Sequence, residues 1–318
     1  MPFNLRPAVR ENVPLLIGLA GGTGSGKTFS AFRLAKGLAG GNPFAVIDTE
    51  SGRAKAYADD FQFDHGELTA PFRPETYSQA IASIDALHKY SVIVVDSASH
   101  EYAGEGGILD WQEEELTRMA GQDYGKREAC KMASWVKPKM AHKAFVNKLL
   151  QLRSHLILCF RAEPKTEMVK KDGKMVVQAK VGMTGLDGWF PICEKNMPYE
   201  LTAYFLLMAA KPGVPQPIKL MEKHRPFFPL DSPITEEAGI ALAEWAKGGS
   251  AVTSQPSQPS ADAQALKKQL QEATTVAEFD RIAKLAKSLS DDEKAELREQ
   301  YIDRKTELLD AQRQKESA

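Results

Sequence analysis

A chain of 318 residues with 43% hydrophobic and 26% charged residues has the composition of an ordinary globular protein, long enough for about two domains. Its net charge of −1 excludes a global field that would draw nucleic acid or a membrane surface, so any such partner must be met by a local patch. The scattered Cys130, Cys159 and Cys193 form no C-x-x-C pair, which argues against a disulfide framework or zinc site. No apolar stretch approaches the ~18 residues of a bilayer span.

Arg6 and Arg10 precede an apolar segment, as in a signal peptide, but there is no cleavage pattern. The expectation is a cytoplasmic protein without a membrane partner. That segment, 15–20, reads as a short buried strand. It breaks into Gly21, Gly22, Thr23, Gly24, Ser25, Gly26, Lys27 and Thr28, which fits G-x-x-x-x-G-K-[ST] in every fixed position. Helical spacing follows over 29–38. Glycines let such a loop curl its backbone N–H groups towards phosphate oxygens, and the helix N-terminus adds partial positive charge. Lys27 can then reach the β- and γ-phosphates, and the Thr28 hydroxyl can hold Mg²⁺. A glycine-rich turn before an ordinary helix is the plainer alternative, and the flanking strand and helix count against it.

A second strand is predicted at Phe44–Asp48, a short one at 61–63 and a helix at 75–88. Four β-branched residues, Val92 to Val95, are closed by Asp96. A run apolar on both faces belongs inside a parallel sheet. Its carboxyl end is where ligands bind, so Asp96 is a candidate for holding Mg²⁺. Charge then reverses along the chain. Residues 101–123 hold seven acids and one base, whereas 131–180 hold twelve Lys/Arg and three acids. Within the basic stretch a helix is predicted over 138–153, a buried strand over 155–160, and a hairpin turning at Asp172-Gly173. Lys165, Lys170, Lys171, Lys174 and Lys180 decorate that hairpin, as a local basic patch or a solvated lysine face.

Further strands are expected at 200–208 and 217–221, then a helix over 236–247 capped by Thr235. A Ser/Gln/Pro-rich linker, 251–261, separates an ATPase domain, 1–250, from a helical tail, 262–318. In the tail, Thr275/Glu278 and Ser290/Glu293 read as capping boxes. Phe279, Ile282, Leu285 and Leu289 should share one face, and Leu297, Tyr301 and Leu308 another. With 13 acids and 11 bases, the tail is solvated, and it is a candidate surface for a protein partner.

The phosphate loop, Ile47-Asp48-Thr49-Glu50 and Val94-Val95-Asp96-Ser97 together resemble the RecA superfamily of recombinase ATPases, over roughly residues 14–208. The resemblance implies an α/β fold: a RecA-like P-loop NTPase core with a mostly parallel central sheet, here followed by a small all-helical unit after a flexible linker. It also implies ATP and Mg²⁺ as cofactors, and Glu50 as the residue that polarises the attacking water. The second strand is expected to abut the strand feeding the phosphate loop, so that Glu50 faces the γ-phosphate, with Glu101 as the fallback base. The AAA+ branch places its catalytic glutamate directly after the metal aspartate. Ser97 follows Asp96 here, which argues against that branch.

The family's γ-phosphate sensor position is occupied by Arg161, and its DNA-contacting loop by the lysine hairpin. Assembly across subunits is usual in the family, which implies a homo-oligomer, with Lys195, Lys223 and Arg225 as candidate contributions in trans. Gly188-Trp189-Phe190, Cys193-Glu194-Lys195 and the detached helical tail are most similar to the compact phage-encoded RecA-like ATPases of single-strand annealing and recombination. The function expected on this ground is a Mg²⁺-dependent ATPase acting on single-stranded DNA, in the cytoplasm of a bacterial host if phage-encoded. A nucleotide-gated scaffold for a replication or packaging partner, or a small-molecule kinase, are the alternatives.

Overall fold

The computed structural model describes residues 10–171, 174–180, 188–248, 261–273, 275–286, 297, 301 and 302. The chain divides into two compact units, Met1–Gly249 and Ser250–Ala318. In the first, β1 (Leu16–Gly21) leads into α1 (Lys27–Leu38), followed by β2 (Phe44–Asp48), β3 (Phe63–Glu67), α2 (Pro74–Ala86) and β4 (Val92–Asp96). The acidic stretch folds into α3 (Ser99–Ala103) and α4 (Ile108–Ala120), α5 (Tyr124–Cys130) follows it, and the basic stretch contains α6 (Val136–Leu149). Next come β5 (His155–Pro164), β6 (Thr166–Lys171), β7 (Lys174–Ala179), β8 (Trp189–Pro191), α7 (Met197–Glu200), β9 (Ala203–Met208), β10 (Lys211–Lys219) and α8 (Glu236–Lys247).

The main sheet has the order β10-β9-β1-β5-β4-β2-β3, with β8 paired to β5. All pairings from β9 to β3 are parallel, while β10 and β8 run antiparallel to their neighbours. β1, β2 and β4 are buried along their whole length, as strands covered by helices on both faces must be. Alternation sorts their side chains into two layers. Ile17, Leu19, Val92 and Val94 pack with Phe32 of α1 and Leu242 of α8. Leu16, Ile93 and Val95 pack with Tyr77 of α2 and Phe145 of α6.

The Phe32 ring lies 5.4 Å from Phe44 and 5.0 Å from Phe63, which holds the helix after the phosphate loop against β2 and β3. Each such ring contributes roughly 1.5–3 kcal/mol on full burial. The backbones of α1 and α8 touch: a Cβ on Gly37 would come 2.0 Å from the Glu236 carbonyl oxygen, and one on Gly239 would come 2.3 Å from that of Leu34.

Several sequence expectations change. β2 does not abut β1: β5 and β4 lie between them, because periodicity predicts a strand but carries no information about its neighbour. The strand expected at 61–63 forms over Phe63–Glu67, and Phe61 turns into the core instead. The strand expected to end at 160 runs on to Pro164, so Arg161 lies within it. The helix predicted from 138 starts at Val136, since a proline in the first turn gives up an N–H that has no helical partner. The strand expected at 200–208 forms over Ala203–Met208, and Glu200 instead closes the short α7. The strand placed at 217–221 is the end of β10, an edge strand that admits Pro212, Pro215 and Pro217. Thr235 stands at the N-cap of α8, but its side chain caps no helix N–H.

The second unit contains α9 (Ala261–Glu272) and α10 (Val276–Leu285). The Thr275 hydroxyl accepts from the Glu278 N–H at 3.4 Å, and the Glu278 carboxylate from the Thr275 N–H at 3.1 Å, which is the predicted capping box. Leu266, Leu270, Ala273, Ile282 and Leu297 form one buried cluster. Ile282 and Leu297 therefore share a core rather than occupying different faces, and Leu285, expected beside Ile282, is half exposed. Linker residues 251–260, the Asp172-Gly173 turn, the Ser290/Glu293 box, the Phe279 side chain, Leu289 and Leu308 lie outside the described residues. Among the described residues no helix is long and apolar enough to cross a membrane.

Candidate nucleotide site

The loop joining β1 to α1 is held from several sides. Gly24 and Gly26 have φ of 72° and 79°, a left-handed backbone open to glycine at little cost. A Cβ on Gly26 would also sit 2.9 Å from the Gly213 nitrogen. The Gly213 N–H donates to the Ser25 carbonyl at 2.9 Å, tying the loop to β10, and the Ser25 hydroxyl donates to the Gly22 carbonyl at 2.8 Å. Thr23 and Gly24 are exposed at the tip, with open space around Gly24. The Lys27 ammonium donates to the Gly22 carbonyl at 3.1 Å and so lies folded over the loop.

Parallel pairing brings three further strand ends beside it. Gly21 is in register with Arg161, Asp96 with Cys159, and Asp48 with Asp96. The Thr28 hydroxyl donates to Asp96 Oδ2 at 2.6 Å, which sets two hard oxygen ligands side by side. Burial pushes the Asp96 carboxyl up to about 6; Glu50 adds to that rise, whereas the Thr28 hydrogen bond and Lys27 oppose it.

A carboxyl whose folded value lies above its ordinary 3.8 holds its proton more tightly when folded, so stability falls as pH rises through this window. Asp96→Asn should therefore raise the melting temperature of the nucleotide-free protein near neutral pH, by up to about 3 kcal/mol in stability. Mg²⁺ needs the carboxylate, so Mg²⁺-dependent nucleotide affinity of the native chain should fall below about pH 6. Parallel thermal melts and nucleotide titrations across pH 5–8 check both; a flat affinity profile would separate Asp96 from the metal.

Glu50 is placed by its neighbours. Asp48, buried at the end of β2, accepts from the Glu50 N–H at 2.6 Å and the Ala54 N–H at 2.9 Å, which shapes the turn carrying Glu50. Thr49 joins the ends of β2 and β4: its hydroxyl donates to the Ser97 carbonyl at 3.0 Å and accepts from the Ser97 N–H at 2.8 Å. The Glu50 carboxylate accepts from Arg161 through Nε at 3.1 Å and Nη2 at 2.8 Å. Arg53 lies 3.5 Å from its other oxygen. Glu50 thus reaches the site through Arg161 on β5, the strand next to β1, not from a strand adjacent to the phosphate loop.

The predicted residues separate into two groups. Residues 21–28, Asp96, Glu50 and Arg161 gather along one edge of the sheet. Lys165, Lys170, Lys171, Lys174 and Lys180 lie exposed on the β6–β7 hairpin and its base. Lys171 stands directly opposite Lys174, and like charges so paired repel. Glu101 is only 3% exposed and lies 2.8 Å from His142 Nδ1 of α6, so its carboxylate is engaged in the helical layer. Arg225 pairs with Glu222 at 2.8 Å.

Sequence reasoning gave no role to Asp48 and Thr49, although they belong to the acidic strand end that it singled out. It gave no role at the loop to Trp189 of β8, whose ring would lie 3.0 Å from a Cβ on Gly22. No short motif marks a residue that packs on the loop from 167 positions away.

The donor set suits a nucleotide with Mg²⁺: an open glycine loop at a helix start, an ammonium beside it, and adjacent hydroxyl and carboxylate oxygens. A family model described as an AAA domain matches residues 14–190, more than half of the chain. The match bears out the P-loop nucleotide-binding core expected from residues 21–28. No curated protein matches the chain. With the phosphate loop at the head of a mostly parallel sheet and the family match laid over it, the chain belongs to the AAA domain family of P-loop nucleotide-binding ATPases.

Proposed function

We propose that the protein is a Mg²⁺-dependent, RecA-like ATPase that assembles as a homo-oligomer on single-stranded DNA in annealing or homologous recombination, of the phage-encoded type. The observation that carries this reading is the Glu50–Arg161 ion pair at 2.8 Å. Arg161 sits on β5, and β5 runs within two residues into the lysine-bearing hairpin. One rigid strand thereby links the candidate water-orienting carboxylate to the candidate DNA patch.

Lys27 draws the β- and γ-phosphates onto the loop, while Thr28 and Asp96 hold Mg²⁺. Bound Mg²⁺ would offset charge on the phosphates. Glu50 orients the attacking water once Arg161 releases it, and DNA on the hairpin favours that release by shifting β5. The helical tail, with its own buried cluster, is left to engage a protein partner.

ATP turnover with and without oligodeoxythymidylate tests the proposal. The expected result is a severalfold stimulation, with DNA affinity dropping about tenfold or more between roughly 50 and 200 mM salt, as several phosphate contacts require. Equal turnover with and without DNA would remove the recombinase reading and leave a nucleotide-gated scaffold.

A further inference from the structure

Beside the hairpin base lies a cleft of about 760 Å³, separate from the nucleotide loop, walled by α3, α4, α6, the end of β5, and β8 with the turn after it. Its lining includes Tyr102, Leu109, Trp135 and Phe190 together with Lys139, Lys165 and Lys195. The Lys139 ammonium lies 5.5 Å from the centre of the Trp135 ring, and those of Lys165 and Lys180 lie 5.7 Å and 5.9 Å from the Phe190 ring. The acids at the rim are already engaged: Glu163 pairs with Lys165 at 3.5 Å, and Glu194 accepts from the Asn196 N–H at 2.6 Å.

Half-buried aromatic rings with a cation beside each are what an unpaired base and its phosphate require. The ring supplies a stacking face, and the lysine can turn from the ring to the backbone. The volume lies within the range of small-ligand clefts and suits one or two nucleobases. From the cleft, Lys165 and Lys180 lead onto Lys170, Lys171 and Lys174 along the hairpin.

We infer that this cleft seats unpaired bases of single-stranded DNA against Trp135 and Phe190, with the hairpin lysines following the backbone outward. The inference rests on the DNA reading above and adds to it the site and the preference for single strands, since a duplex keeps its bases stacked inside. It also supplies a second route to the nucleotide. Successive residues of a strand face opposite ways: Phe190 of β8 lines the cleft while Trp189 packs on Gly22 of the phosphate loop.

The test is anisotropy of labelled oligodeoxythymidylate with the full chain. Trp135→Ala and Phe190→Ala should each weaken binding about tenfold with the salt slope unchanged, because stacking releases no counterions. The combined Lys170→Ala, Lys171→Ala and Lys174→Ala variant should instead flatten that slope. Trp135→Phe and Phe190→Tyr, which keep a ring, should retain most of the affinity, separating stacking from a folding defect. Alanine variants that bind within twofold of the native chain would overturn the cleft while leaving the DNA reading in place. A native chain that does not bind the oligonucleotide would overturn both.

Discussion

Glu50→Gln should lower ATP turnover about a hundredfold or more while nucleotide affinity stays close to native. A positioned general base contributes about 10²–10⁴ to rate, and glutamine keeps the shape of the side chain but cannot accept the proton. The backbone should not suffer, because the turn is held by Asp48, which accepts from the Glu50 and Ala54 N–H groups and is untouched by the change. The nearest acids among the described residues are already engaged: Glu101 contacts His142 in the helical layer, and Asp96 is tied to Thr28.

Arg161→Ala adds a second reading of the same pair. With the 2.8 Å ion pair removed, turnover should lose its response to DNA. Steady-state hydrolysis with and without oligonucleotide, run beside a nucleotide-binding titration, checks both. Native turnover in Glu50→Gln would remove Glu50 from the chemistry.

Lys27→Ala should weaken ATP binding by about one to two orders of magnitude, the worth of a charge-assisted contact to phosphate. In the structure the ammonium rests on the Gly22 carbonyl at 3.1 Å. It is therefore already folded over the loop and needs only a side-chain rotation to reach a phosphate. The fold should be nearly indifferent to this change, since one partly exposed hydrogen bond is lost and α1 remains anchored by Phe32 among Phe44, Phe61 and Phe63. Calorimetric titration with ATP, set beside a thermal melt, separates lost binding from lost structure. Native affinity would mean that the loop backbone and Mg²⁺ carry the phosphates without the lysine.

By itself the sequence determined the elements that rest on local chemistry. The phosphate loop could be read because glycine at left-handed positions, a lysine and a hydroxyl residue must fall at fixed spacing. β4 could be read because an unbroken β-branched run has only one place in a covered parallel sheet. The tail's Thr275/Glu278 box could be read because both partners lie within one turn of helix. What the sequence could not carry was order across the sheet. β5 and β4 separate β1 from β2, and strand pairing is settled by which apolar faces α1, α8, α2 and α6 jointly cover.

The Glu50–Arg161 pair spans 111 positions, and Trp189 meets Gly22 across a still longer separation. The chain codes such contacts only through the fold. Lysines 165 to 180 could be counted as charge in advance, but the cleft behind them, with Trp135 from one helix and Phe190 from one short strand, exists only once the helical layer and β8 close around it. Tertiary packing decided which of the legible residues meet.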